Sequence, residues 1–467
     1  MMAVLLATDP SQLLPAREQM AFTLGFHIVL VPFGVAFTAM MMIANYRAIR
    51  YEDDEALRLA QRWSKVAAVL FAVGAVSGTV LSFEMGLLWP RFMGRFGAAY
   101  GIPFVVEGIF FFLEAIFIAI YIYGWKRLRP WPHFWTGLPV VLAGIGGTLS
   151  VVAANGWMNL PGGFTMRNGR ITDVRPFEVF FNRAFWYEAL HMLLAAYIVA
   201  GFLTAGVYAA GMLRGRRDRY HRVGFLVPFT VAAVVMPFEI FVGDTMGRQV
   251  FKNEPAKFAA LELLPHSGRH VPETIGGILV NGKVRYGLHI PGLASFLAGH
   301  STNTKVLGLD ALPPADRAPA NVVHLAFDIM VFTAFALLGL ALWFAVVWWR
   351  RRDLPRGPWF LRAAAASGVV SVITLEAGWT VTEVGRQPWI AHGLMRTRDA
   401  VTTSGDVWTL LAVTLVIYTA VGAAAVVVIR GMSRRWRRQD DGDDDVSVPY
   451  GPEAPLEAAV PEIAPSP

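Results

Sequence analysis

Glu376 and Glu383 lie seven residues apart in Glu-Ala-Gly-Trp-Thr-Val-Thr-Glu-Val-Gly-Arg-Gln-Pro-Trp, residues 376–389, which closes an apolar run starting near Trp359. At about 100° per residue, that spacing brings both carboxyls to one face of a helix. A charged acid in hydrocarbon costs roughly 2.5–3.5 kcal/mol, so it needs a partner or a task. Glu107 and Glu114 repeat the spacing in another apolar run. Two acids at two depths on one face suit a proton path or the compensation of a buried cationic cofactor; an interhelical bond to Arg or Trp is the plainer use. Arg386 follows the first pair, and Pro388 stops that helix.

Three further residues in apolar runs are donors to metals: His27, His191 and Met330. Imidazole and thioether are the usual axial ligands of haem iron, and a His/Met pair gives a six-coordinate, electron-transferring centre. A single His or a carboxylate leaves a position open for a small molecule. A membrane His also serves to bond a neighbouring helix, and a Met to fill a core. In a more polar stretch, Lys257 and Glu262 could meet along a short helix and deprotonate a hydroxylated ring, or form a solvated pair. His266 and His270 are four apart, but Pro265 and Gly268 argue against a helix and a metal site there. Arg91, Arg95 and Arg183 read as loop charges.

The elements that must position these groups are membrane spans. The 467 residues have a mean hydropathy of +0.47 and are only 16% charged, against about 25% for soluble proteins. Nine runs are long and apolar enough to span, roughly 18–45, 63–89, 100–124, 134–154, 184–211, 223–243, 321–349, 359–385 and 405–429. The expected class is an all-α integral membrane protein. No internal repeat of the transporter kind is visible. The formal charge of +7 sits in short clusters between the runs, which are topology signals rather than a nucleic-acid surface. Arg47, Lys126, Arg214, Arg350 to Arg352 and Arg434 to Arg438 fall after odd-numbered spans. The N-terminus is therefore expected outside and the C-terminus in the cytoplasm. The absence of cysteine excludes disulfides, iron–sulfur clusters and thiolate-ligated haem or zinc. Met1 to Leu6 is too short for a cleaved signal, so the first span is expected to act as an uncleaved insertion signal.

Residues 1–438 read as one transmembrane domain. Within it 244–320 is a long outer loop, where Val280-Asn281-Gly282-Lys283 predicts a tight hairpin. Residues 439–467, acidic and then proline-rich, read as a disordered cytoplasmic tail. On this topology His27, His191 and Met330 lie about 10–15 Å below the outer surface. Glu107 is at their level, and Glu383 is near the outer end of the eighth span.

These residues resemble the large, haem-bearing subunit of the cytochrome bd-type quinol oxidases, from about Arg17 to the ninth span. Gly385-Arg386-Gln387-Pro388-Trp389 is that family's most specific signature, here with Glu376-Ala-Gly-Trp379 ahead of it. Also matching are Glu107-Gly108 with Phe112-Leu113-Glu114, Ala154-Asn155-Gly156-Trp157-Met158, Phe327-Asp328-Ile329-Met330, and Phe26-His27-Ile28 before Val31-Pro32. The resemblance implies that His191 and Met330 ligate a low-spin haem b. It gives His27 and Glu383 to two high-spin haems, a haem b and a haem d or a further haem b, with Trp379 beside the cofactors. Glu107 and Glu114 belong to the proton route, and Arg386 neutralises buried carboxylate or propionate charge. Lys257 and Glu262 match the pair assigned to quinol, and His289-Ile290-Pro291 matches that loop's tail. The likeness departs at Asp328, where many relatives carry Arg, which bears on how the low-spin haem's charge is balanced. The outer loop lacks the long insertion of some members. It matches the short-loop group, which includes cyanide-insensitive oxidases.

The implied activity is that of a quinol:oxygen oxidoreductase in the bacterial cytoplasmic membrane. It would take electrons from quinol at the outer face and reduce dioxygen to water, generating proton motive force without pumping. The implied partners are a second oxidase subunit, a small accessory subunit, quinol, dioxygen and membrane lipid, with no nucleic acid. Two rivals are a haem-bearing quinol dehydrogenase anchor and, from another class, a proton-coupled transporter using the paired acids.

Overall fold

The computed structural model describes residues 10–440. Among them nine helices are long and apolar enough to cross a membrane. They are α1 Leu13–Tyr51, α2 Asp54–Leu88, α3 Pro90–Gly124, α4 Pro130–Asn159, α5 Phe185–Leu213, α6 Arg219–Asn253, α7 Ala320–Arg351, α8 Pro358–Gly385 and α9 Val407–Asp440. All nine expected spans are present, each extended beyond its apolar run. Hydrocarbon sets the least length of a spanning helix, whereas caps set where it ends. Asp53 caps α2 by accepting from the Ala56 N–H, and Asp218 caps α6 by accepting from the His221 N–H. Proline occupies the first turn of α3, α4 and α8, where its missing N–H costs nothing. Arg91 and Arg95, read from sequence as loop charges, therefore lie in the first turns of α3.

The sixth helix shows the largest extension. It runs to Asn253, so the long loop opens at 254 rather than 244. The expected hairpin is present: Val280 pairs with Lys283, and Asn281 and Gly282 hold φ of 50° and 75° between them. The compact unit that holds every candidate residue ends at Tyr418, and from Thr419 the chain is helical to Asp440. Met1 to Leu6 and the expected tail from 441 onward lie outside the described residues.

Small residues let the spans approach closely. A Cβ on Gly368 of α8 would stand 2.9 Å from the Cα of Leu203 on α5, and one on Gly144 of α4 would stand 2.9 Å from the carbonyl oxygen of Gly34 on α1. Gly34 lies in a π-helical turn, Phe33–Phe37, directly after Pro32. Proline withholds an N–H from the ladder, and the widened turn is how the helix absorbs it. Toward the end of the bundle where α3 begins and α4 ends, Phe92, Phe96, Tyr100 and Trp157 form an aromatic core. The Trp157 indole donates to the Gly162 carbonyl at 2.9 Å. That core fixes the last turn of α4, which carries the polar residues of the site.

Candidate haem and quinol sites

His27 of α1 meets Ser77 of α2, with 2.8 Å between Nδ1 and Oγ. This contact leaves Nε2 as the ring nitrogen available to a ligand. A Cβ on Gly78 would stand 3.1 Å from His27 Cε1, so glycine makes room for the ring. His191 of α5 places Nδ1 3.0 Å from Oε1 of Glu239 on α6. The pair is close but poorly aligned for a hydrogen bond, since Nδ1 counts among the buried polar atoms without a satisfied partner. Its Coulombic attraction stands without that alignment. Met330 of α7 packs on α8, where a Cβ on Gly378 would lie 3.0 Å from its Sδ. Trp379, next along α8, shares an apolar cluster with Ile28 of α1 and with Met192 and Val199 of α5. Its indole nitrogen is buried without a partner.

The acids fall at three heights. Glu376 faces α1, with a carboxylate oxygen 3.5 Å from where a Cβ on Gly25 would be, two residues before His27. Glu114 of α3 lies opposite Gly34, at 3.3 Å from a Cβ there. Glu107 is two turns away on the same face of α3, about 10 Å along the helix toward the level of His27. Glu383 sits at the end of α8. Its Oε1 accepts from the Asn155 side-chain amide at 2.7 Å, and its Oε2 pairs with Arg386 Nη2 at 2.5 Å.

Around Glu383 lies a buried polar hub that sequence reasoning missed. Asn159 is its centre and is fully buried. Its amide nitrogen donates to Glu188 at 2.9 Å and to Asn155 at 3.1 Å. Its amide oxygen accepts from Lys257 Nζ at 3.2 Å and from Arg386 Nη1 at 3.3 Å. Lys257 in turn pairs with Glu254 at 2.5 Å. The motif Ala154 to Met158 pointed at this turn, but Asn159, Glu188 and Glu254 belong to no spacing rule applied above. The i, i+4 pair Asn155/Asn159 was the available signal.

The expectation for Lys257 and Glu262 needs correction. They neither pair with each other nor lie in solvent, being 6% and 3% exposed. Pro255–Leu261 is a single short helix, and Glu262 falls just past its end, where the chain leaves the helical path. Lys257 points at the hub, while Glu262 meets Glu273 of the strand Glu273–Ile275. Burial and the neighbouring Glu273 and Asp328 raise Glu262 well above the ordinary carboxylate range, and burial raises Glu273 too. Asp328 accepts from the Gly276 N–H at 2.5 Å and stands 3.5 Å from His324 Nε2. His266 faces Asp310 at the loop surface.

The donor set fits haem iron. It offers one imidazole with Nδ1 bonded to a serine, a second with Nδ1 beside a carboxylate, one thioether, and one carboxylate whose oxygens are held by an amide and a guanidinium. Glycines lie where Met330 and His27 need space, and the unpartnered Trp379 N–H adds a donor at the same level.

The helix bundle defines an integral-membrane protein, and the donor set within it is of the kind a haem oxidoreductase carries. Residues 15–436 match the family described as cytochrome bd terminal oxidase subunit I, and the chain belongs to that family. A Bacillus subtilis (strain 168) protein, provisionally named cytochrome bd menaquinol oxidase subunit I, is 33% identical over 89% of this chain and 95% of its own. Cytochrome bd ubiquinol oxidase subunit 1 of the same organism is 28% identical over 93% and 96%. The structure of bd oxidase from Geobacillus thermodenitrificans superposes with a TM-score of 0.86 at 32% identity, covering 91% of this chain and 99% of that one. The chain is thus a multi-pass subunit of a bacterial inner-membrane respiratory oxidase that carries haem. This assignment leaves no place for the transporter or dehydrogenase-anchor readings.

Proposed function

We propose that the chain is the subunit of a quinol:oxygen oxidoreductase that oxidises quinol at the outer face and holds three haems where dioxygen is reduced to water. The observation that supports this reading is the placement of four ligand-type side chains against neighbouring helices: His27 bonded to Ser77, His191 beside Glu239, Met330 against Gly378, and Glu383 held by Asn155 and Arg386. His191 and Met330 would hold a low-spin haem b. His27 and Glu383 would hold the two high-spin haems, one of them haem d or a further haem b. When bound, haem supplies one-electron transfer and the reduction of dioxygen.

The protein's own residues supply orientation and protons. Ser77 would hold the ring of His27, and Glu239 stands beside the ring of His191. Asn155 and Arg386 would hold the Glu383 carboxylate in place. Lys257 and Glu262 would face quinol, one cation and one acid in a buried setting. Glu114 lies deeper in the bundle than Glu107, and the two would lead protons from the cytoplasmic side. The basic clusters after odd-numbered spans favour an outside N-terminus. All ligand residues would then lie in the outer half, so the protons make most of the crossing. Each charge moved across the bilayer is worth about 2.3 kcal/mol per 100 mV, which conserves energy without a pump. A second oxidase subunit would complete the proton path, with a small accessory subunit and lipid around the bundle.

The test is a pyridine haemochrome assay with an absorption scan for haem d, run beside oxygen uptake driven by a short-chain quinol. Three haems per subunit pair and quinol-dependent uptake are expected. Only six-coordinate haem with no uptake would overturn the proposal.

A further inference from the structure

Glu273, His324 and Asp328 have no role in the function proposed so far, yet they converge on Glu262. Glu262 and Glu273 are 3% and 8% exposed, and each has a buried Oε2 with no other donor beside it. The two acids act on each other directly across the buried space between their segments. Two carboxylates cannot bond without a proton between them, so the arrangement is that of an acid–carboxylate pair. The segments that carry them are stapled to α7. His324 places Nδ1 2.8 Å from the Leu261 carbonyl, one residue before Glu262. Its Nε2 lies 2.9 Å from the Gly276 carbonyl, three residues after Glu273. Both ring nitrogens thus face backbone carbonyls. One turn further along α7, Asp328 accepts the Gly276 N–H. Both backbone groups of Gly276, which sits at φ of 64°, are therefore held by α7.

We infer that Glu262 and Glu273 act as one proton-sharing pair that takes the hydroxyl protons of quinol in turn, and that His324 and Asp328 are positioning residues that hold the pair together. This inference rests on the reading of Glu262 as a quinol-site residue. The pair begins with one proton. A quinol O–H bond breaks, its proton adds to the ionised carboxylate, and both acids become neutral. One proton then leaves from Glu273, whose strand pairs with the exposed Leu288–Ile290. That resets the pair for the second O–H. The two electrons go to dioxygen, the oxidant of the terminal oxidase reaction. The charged groups facing the pair are Asp328 and His324, with Asp328 acting on both acids and His324 on Glu273.

The experiment uses the intact two-subunit oxidase, with Glu262→Gln, Glu273→Gln and His324→Gln variants and haem content as the folding control. The probes are a short-chain ubiquinol and menadiol. Removing the Glu273 charge makes Glu262 easier to ionise. The acid limb of kcat/KM in Glu273→Gln is therefore expected to move down by about one pH unit or more. His324→Gln is expected to raise KM several-fold and to broaden the same limb. In wild type, the infrared band of a protonated carboxyl should shift when quinone binds, and Glu273→Gln should abolish that shift. No carboxyl band responding in wild type would overturn the pair without any variant. A wild-type pH profile in Glu273→Gln, with Glu262→Gln inactive, would overturn the pair while leaving the quinol site standing. Wild-type turnover in Glu262→Gln would instead sink the quinol-site reading itself.

Discussion

Arg386 Nη2 stands 2.5 Å from Oε2 of Glu383, one helical turn back along the chain at the end of α8. The guanidinium is 3% exposed and its other arm reaches Asn159. Taking one partner from a buried ion pair costs about 3–5 kcal/mol, because the other charge is left uncompensated. Arg386→Leu is expected to lower the unfolding midpoint of the purified oxidase and to lose one high-spin haem. Arg386→Lys should recover only part of both, since an ammonium cannot span Glu383 and Asn159 as a fork does. Thermal unfolding followed by haem absorbance checks this.

Met330→Leu keeps the volume and apolar character against Gly378 and removes the thioether. The low-spin signal should vanish from the reduced-minus-oxidised spectrum while the protein still assembles. An unchanged spectrum would show that Met330 is filler.

Asn159 joins α4, α5, α8 and the helix Pro255–Leu261 through one side chain. Asn159→Ala leaves Lys257, Arg386 and Glu188 each short of a partner. An unsatisfied buried polar group costs about 1–3 kcal/mol. The expected outcome is a loss of a few kcal/mol, with KM for quinol rising more than kcat falls. Steady-state kinetics with denaturant titration measures both.

Glu262 and Glu273 both titrate above the usual carboxylate range. Folded protein therefore binds more protons there than unfolded chain does, so their contribution to the loop's docking is complete at low pH. It is lost as pH rises through their raised folded values. Protease cleavage within 254–319 should accelerate with rising pH over that window. Glu273→Gln should flatten the dependence, and a pH-independent rate in wild type would contradict it.

Glu114→Gln and Glu107→Gln should slow oxygen reduction while sparing haem content. The slowing should be greater when protons are offered from the cytoplasmic side of proteoliposomes. Equal turnover in wild type and both variants would remove these acids from the proton route.

The sequence alone determined the nine spans and singled out the His, Met and paired acidic residues within them, because hydrocarbon forces long apolar runs and makes each buried polar residue conspicuous. It also marked the hairpin at Asn281-Gly282, since a turn with two positive φ values demands those residues. It misjudged the loop start at 244 and the pairing of Lys257 with Glu262. A helix continues past its apolar stretch wherever capping permits, and the partner of a loop residue lies far along the chain. Only the tertiary structure decided that Lys257 faces Glu254 and Asn159, that Glu262 meets Glu273, and that His324 and Asp328 clamp Gly276. Those contacts join segments up to about a hundred residues apart in sequence. No local spacing encodes them; the packing of α4, α7 and α8 beneath the loop does.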